Sequence, residues 1–489
     1  MNRFEGIEPR YVFKYFDELL NIPRPSKHEE KALEHLKRLA QSKGLEYKQD
    51  KVKNLVLRVP ATKGYENSPT VILQGHIDMV AEKNSDVVFD FLKDPINAYV
   101  DGDWIKAKGT TLGADNGIGV AAALAFIDDP DAVHGPLEIL LTVDEETGLT
   151  GASNLDAKIL SGKIMLNLDS EEDGVFFIGC AGGANTVTTL PVKLINVNRK
   201  FKIFELKISG LLGGHSGLNI IDNRANAIKL LARVIKAAIR AKVEIMLSDI
   251  RGGDKHNAIP REAFAVVAVN EKHIKKFNEA LNSELEKART EFSTVDKDIK
   301  LDISEFTKKV SKAINAADTK RVINLLLAIP HGVISMSREI PGLVETSSNL
   351  ATIRMKGSKV EILTSSRSSV SEALDTVLES IDSLVELYGG KTKGYGRYPG
   401  WRPNVDSPLL KKAVSVFKSL RGNEPKITAI HAGLECGIIM EKVPGMDVIS
   451  FGPEMHGVHS PNEKLNIPSV GRFYEYLKRL LEGIAKEGI

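Results

Sequence analysis

Cysteine is almost missing from this chain of 489 residues: Cys180 and Cys436 are the only two. They give no disulfide framework, and a reducing cytoplasm is the expected compartment. Long apolar runs are missing too. The run at residues 137–143 falls far short of the roughly 18–20 residues that a membrane helix needs, so no span and no membrane partner are expected. The first residues, Met1-Asn2-Arg3-Phe4-Glu5-Gly6, contain no apolar core like that of a secretory signal. Charge of one sign is absent as well. Sixty-six basic residues stand against 64 acidic ones, a formal net charge of +2. That balance removes any electrostatic case for nucleic acid or an anionic membrane as partner.

What the chain does have is length. Single cores stop growing near ~250–300 residues, so at least two domains are expected. Ser26-Lys27-His28-Glu29 has the form of a capping box with Ser26 as N-cap, and Ala32, Leu33, Leu36, Leu39 and Ala40 follow at helical spacing up to Gly44. Apolar runs at 70–73, 137–143 and 164–168 read as buried strands, and the alanine-rich stretch 119–127 as a helix between them. This alternation predicts an α/β layer with a largely parallel sheet. From about residue 202 the pattern changes to alternating strands and long amphipathic helices, as at 224–240 and 272–289. The helix and strand pattern then recurs loosely up to residue 387, which is compatible with an internal duplication. Residues 394–403, rich in glycine, tyrosine and proline, read as a return linker. The expected organisation is therefore a catalytic α/β domain in two parts, 1–189 and 398–489, interrupted by an α+β lid domain at 190–397.

Four segments share one grammar, in which an apolar strand runs into a metal-capable side chain. Residues 70–73 lead to His76 and Asp78, 137–143 to Asp144-Glu145-Glu146, 164–168 to Asp169, and 447–451 to a loop with His456 and His459. Ligands in open α/β sheets collect at the carboxyl ends of strands, so groups distant in sequence can converge there. Asp115, in a glycine-rich turn that opens a helix, is a fifth candidate. Clustered carboxylates repel one another unless a cation neutralises them, and a mixture of imidazole and carboxylate suits zinc better than calcium or magnesium. The adjacent pair Glu145-Glu146 can supply one ligand and one base.

These motifs carry a resemblance. Ile22-Pro23-Arg24-Pro25-Ser26, Gln74-Gly75-His76-Ile77-Asp78, Leu112-Gly113-Ala114-Asp115-Asn116-Gly117, Asp144-Glu145-Glu146-Thr147-Gly148, Asn167-Leu168-Asp169-Ser170, His431-Ala432-Gly433-Leu434-Glu435-Cys436-Gly437 and His459-Ser460-Pro461 span nearly the whole chain. The sequence resembles the two-zinc exopeptidases related to carboxypeptidase G and aminoacylase, and among them the cytosolic aminoacyl-histidine (Xaa-His) dipeptidases. The resemblance implies a di-zinc exopeptidase-like catalytic domain with two zinc ions, for which manganese or cobalt are substitutes, and a small peptide as substrate. Asp115 would bridge the metals, with His76 and Asp169 completing one site and Glu146 and His459 the other. Glu145 would be the general base and Asp78 would orient His76. A cis bond would follow Asp115.

In the insert, Gly213-Gly214-His215-Ser216-Gly217 resembles the motif whose histidine stabilises the tetrahedral oxyanion, and the segments around Asn257 and Arg367 resemble those that hold the substrate's C-terminal carboxylate. A homodimer and a site completed within one chain are both compatible with the sequence. The competing enzyme reading is an amidohydrolase acting on N-acyl amino acids or a tripeptide; a non-catalytic binding protein would be expected to lack Glu145 or a ligand. Gly117-Ile118-Gly119-Val120-Ala121-Ala122 matches a dinucleotide fingerprint but follows no strand.

Overall fold

A computed structural model describes residues 3–489. The chain divides into two compact units. The first comprises the chain up to Cys180 with Trp401–Ala429 and Leu434–Ile489, and the second Ala181–Gly400 with Ile430–Gly433. The expected boundaries, 189/190 and 397/398, are thus corrected to 180/181 and 400/401. Gly182–Pro191 is the reason at the first boundary: it is a long strand of the second unit's sheet, not a tail of the first. The supposed linker is corrected too, because Lys391–Tyr398 pairs antiparallel with that strand.

The first unit is built on an eight-stranded sheet in the order Tyr47–Gln49, Leu55–Val59, Leu137–Thr142, Val71–His76, Ile164–Asn167, Asp447–Ser450, Val175–Cys180, Lys426–Ile430. The four strands from Leu137–Thr142 to Asp447–Ser450 run parallel. Each is almost wholly buried, as expected of strands covered on both faces. The helices Arg10–Leu20, Ala114–Ala125, Pro408–Arg421 and Ile467–Glu487 belong to the same unit. Their ends follow local chemistry. Ser407 accepts the Leu410 N–H with Pro408 in the first turn, and Gly422 closes the helix at φ 78°. Asn466 likewise caps Ile467–Glu487 through the Ser469 N–H. A smaller four-stranded sheet contains the hairpin Met455–His456 and Lys464–Asn466, whose loop carries His459.

Ser26 is not an N-cap. The helix starts at Glu30, and Ser26 Oγ instead donates to Asp78 Oδ2 at 2.8 Å. Glu29 Oε1 accepts the N–H groups of Lys27 and Asp144, so tertiary partners displaced the local box. In the dinucleotide-like segment, Gly119 serves packing: a Cβ there would lie 2.3 Å from the Leu168 carbonyl.

The second unit has a nine-stranded sheet and a core of its own that includes Leu231, Ile235, Phe277, Leu326 and Ile381. Eight of its strands and four of its helices fall into two βαββαβ sets, with Gly332–Met336 pairing beside the second as the ninth strand of the sheet. One comprises Phe201–Ser209, Ala227–Arg240, Ile245–Gly252, Ala263–Asn270, Ile274–Glu291 and Lys300–Glu305. The other comprises Gly182–Pro191, Ala316–Ala328, Val344–Lys356, Lys359–Ser368, Ser371–Leu387 and Lys391–Tyr398. Within each set the fourth strand pairs with the first, the first with the third and the third with the second, all antiparallel. The first set is inserted in the second after its opening strand, which is why the recurrence looks loose in sequence.

Candidate metal centre

His76 closes the central strand and is 1% exposed. Its Nε2 lies 3.1 Å from Asp115 Oδ1 and 3.4 Å from Asp169 Oδ1. The other oxygen of Asp115 faces a different set: His459 Nε2 is 3.1 Å from Asp115 Oδ2 and 3.0 Å from Glu146 Oε2. Two groups able to hold a cation, His76–Asp115–Asp169 and Asp115–Glu146–His459, therefore share one carboxylate. A third group, His76–Glu145–Glu146, brings Glu145 to the same place. His456 stays outside, half exposed and 2.5 Å from Glu454 Oε1.

Asp78 holds this arrangement from behind. Its Oδ1 lies 3.3 Å from His76 Nδ1 and accepts the Glu145 N–H at 3.0 Å, while Oδ2 accepts the Glu146 N–H at 3.2 Å. One carboxylate so orients the imidazole and the acid pair together. Burial alone would raise the Asp78 carboxyl, but the hydrogen bonds from His76, the Glu145 N–H and Ser26 hold it down at about 2. Asp144 (φ 51°) and His459 (φ 60°) adopt left-handed backbone, which aspartate and histidine tolerate better than most non-glycine residues, next to or at the candidate ligands. The Asp115–Asn116 bond is cis.

The donor set fits a cation. Glu146 Oε1 and Asp169 Oδ1 are buried without a hydrogen-bond partner among the described residues. Burial pushes the Asp169 carboxyl up to about 6, with the nearby Asp115 and Glu146 carboxylates adding to it against the pull of His76. Glu145 is raised well above the carboxylate range, chiefly by burial. Unpaired buried oxygens and crowded negative charge are what a bound cation relieves, and imidazole with carboxylate is a zinc-type donor set. The buried acids Glu29, Asp78 and Asp144 also cluster, but backbone N–H groups and the hydroxyls of Thr147 and Thr150 already occupy them.

Behind the ligands runs a belt of polar side chains that sequence reasoning did not assign. Ser450 donates to Asn167 Oδ1, Asn167 to Gln74 Oε1, and Gln74 to Glu435 Oε2, at 2.5, 2.5 and 2.7 Å. Thr142 also donates to Glu435, at 2.6 Å. The belt crosses the parallel strands and ends on a buried carboxyl that burial lifts to about 7. Gln74 and Asn167 stand inside otherwise apolar strands, and that was the available signal.

The second unit gathers a different set. His215 lies on a two-residue strand paired with Ala258–Ile259, next to Asn257, whose carbonyl accepts the Ser216 N–H. His215 Nδ1 accepts the N–H groups of Gly217 and Leu218 at 3.2 and 3.1 Å. That assigns the remaining proton to Nε2 and leaves it a donor. Burial, then Arg367 and His256, lower this imidazole to about 4. Arg367 is buried and donates to Tyr398 Oη at 2.8 Å. His431, which the sequence reading did not assign, bonds Ser347 Oγ at 2.7 Å and is lowered to about 3 by burial and then Arg367.

An α/β unit with histidine and carboxylate side chains converging at its strand ends has the architecture of a metallopeptidase. The model of peptidase family M20/M25/M40 matches residues 72–483, and the chain belongs to that family. It is 42% identical to the cytosol non-specific dipeptidase of Escherichia coli (strain K12) over 99% of both chains. Among solved structures it is similar to the aminoacylhistidine dipeptidase of Vibrio alginolyticus, at 41% identity and a TM-score of 0.91 over 98% of each chain. It shares its fold with the aminopeptidase PepT of Bacillus cereus, at 17% identity and a TM-score of 0.56 over 98% of this chain and 100% of that one.

Proposed function

We propose that the protein hydrolyses dipeptides, Xaa-His dipeptides among them, at a centre of two zinc ions, with manganese or cobalt as substitutes. The carrying observation is Asp115, whose two carboxylate oxygens face two separate ligand groups. His76 and Asp169 would hold one ion with it, and Glu146 and His459 the other. The dipeptidase names of the Escherichia coli and Vibrio alginolyticus relatives support the substrate class.

Bound there, the metals would supply Lewis acidity to the scissile carbonyl and to the attacking water. Glu145 has the position and the burial of a general base: it takes the water's proton as the C–O bond forms and returns it to the amine nitrogen as the C–N bond breaks. Asp78 keeps His76 and the Glu145–Glu146 turn in register. To the second unit we assign the substrate's oxygens. His215 offers a neutral Nε2–H to the developing oxyanion, while Asn257 and the Arg367 fork take the C-terminal carboxylate. A cytoplasmic setting is supported by the Escherichia coli relative's name. A homodimer is proposed from the resemblance alone, and sedimentation tests it.

The experiment is turnover of a dipeptide panel, including Xaa-His members, by protein reconstituted with zinc, manganese or cobalt. Metal-dependent cleavage of dipeptides is expected. Inert dipeptides with N-acyl amino acids cleaved would replace this reading by the amidohydrolase one.

A further inference from the structure

The turn that carries Asp115 is gripped from two sides by buried residues of opposite charge. Glu463 is 2% exposed and spends both carboxylate oxygens on this one turn. Its Oε2 accepts the N–H groups of Leu112 and Gly113 at 2.7 and 3.0 Å, and its Oε1 those of Ala114 and Asp115 at 2.8 and 3.3 Å. From the other side the Arg24 guanidinium donates to the carbonyls of Ile77 and Asp78, both at 2.9 Å, and to that of Gly113. Gly113 thus has its N–H held by a carboxylate and its C=O by a guanidinium. No side chain fits at that position: φ is 72°, and a Cβ would lie 2.8 Å from Arg24 Nη2 and from Met79 Sδ.

The segment Ala114–Ala125 is not regular helix at its start, because Asp115 (ψ 113°) and Asn116 (φ −102°, ψ 30°) depart from helical backbone. The N–H groups of residues 112–115 thus belong to an irregular turn, and buried N–H groups there need an acceptor from elsewhere. Glu463 supplies it from 348 positions along the chain. It also lies shortly after His459, so it ties the loop bearing His459 to the turn bearing Asp115. Arg24 ties the same turn to the end of the strand bearing His76. Four N–H contacts to a single carboxylate fix where the turn sits and which way it faces.

We infer that Glu463 is a positioning residue: with Arg24 as counterpart, it holds the Asp115 turn where both carboxylate oxygens face their ligand groups, and so governs binding of the second metal ion. This rests on the two-metal reading above.

The test compares wild type with Glu463→Gln by zinc titration and by amide exchange in the metal-free protein. A carboxamide turns one acceptor oxygen into a donor and abandons two of the four N–H groups. The second zinc equivalent is expected to weaken ~10–100-fold while the first is kept, as is typical when an outer-shell partner is lost. Turnover lost at limiting zinc returns at saturating zinc, and exchange at residues 112–115 quickens. Unchanged zinc affinities with unchanged exchange overturn the inference. Should Glu463→Gln not fold, Glu463→Asp, which keeps the charge but draws it back by one carbon, is read in the same two ways. A wild type that binds fewer than two zinc ions overturns the two-metal reading. The exchange comparison then decides alone, faster exchange supporting the clamp and unchanged exchange refuting it.

Discussion

In the first unit His459 is held up at about 11 by its hydrogen bonds to Asp115 and Glu146. In the second, His215 is pushed down to about 4 by burial and by Arg367 and His256, and His431 to about 3 by burial and Arg367. The side chain is the same and only the surroundings differ. The first unit concentrates acceptors: strand ends deliver carboxylates with buried unpaired oxygens, a setting that asks for cations. The second concentrates donors: neutral imidazoles beside a buried guanidinium, a setting that asks for anionic or developing-anionic oxygen. The two units differ in architecture along the same line. Parallel strands bring distant residues to one edge, whereas the second unit presents His215 from a two-residue strand and Arg367 from near the end of a ten-residue antiparallel one.

The sharpest way to break this contrast is Asp115→Ala. It removes the shared carboxylate, so bound zinc is expected to fall from two equivalents to at most one, with turnover below detection; metal analysis and assay check both. Next comes Glu145→Ala, which should lower kcat by about 10²–10⁴-fold with metal content kept, as for loss of a general base. Loss of zinc in that variant would recast Glu145 as a ligand. On the donor side, His215→Ala should lower kcat by about 10²–10³-fold, the usual effect of removing an oxyanion donor, without changing zinc content. The smallest effect concerns stability. His331 in the second unit is lowered from 6.5 to about 3 by burial and then Lys229, as His431 is by burial and then Arg367. Their folded values lie below their unfolded ones, so the unfolded chain takes up protons first as pH falls through about 6.5. The stability these two imidazoles contribute is therefore lost as pH falls from 7 to 4, and the urea midpoint of His331→Gln relative to wild type should rise across that window.

Much of the candidate metal centre was legible in the sequence because parallel strands impose a simple rule: an apolar run, then a metal-capable side chain at its carboxyl end. His76, Glu146 and Asp169 each obey it, and the structure brings them together with Asp115 and His459. What escaped depends on contacts that no local pattern encodes. Ser26 and Glu29 satisfy the capping-box spacing, yet Asp78 and Asp144 are their partners in space. Glu463 binds the turn bearing Asp115 from the far end of the chain, and Arg24 looks like any basic residue until its burial is known. Lys391–Tyr398 was hidden for another reason. It is largely exposed and contains threonine, glycine and tyrosine instead of an alternating apolar face, so it reads as a linker although it forms a strand at the end of the sheet order. The boundary at Ala181 was missed because Gly182–Pro191 starts with Gly-Gly-Ala-Asn-Thr, whose burial comes from close packing and not from large side chains.

In the proposed centre Asp115 serves two ions at once. Anomalous diffraction at the zinc edge, from crystals of the zinc-loaded protein, tests this directly. Two peaks about 3.5–4 Å apart, one on each oxygen of Asp115, are predicted. A single peak, or two peaks of which only one touches Asp115, would contradict it.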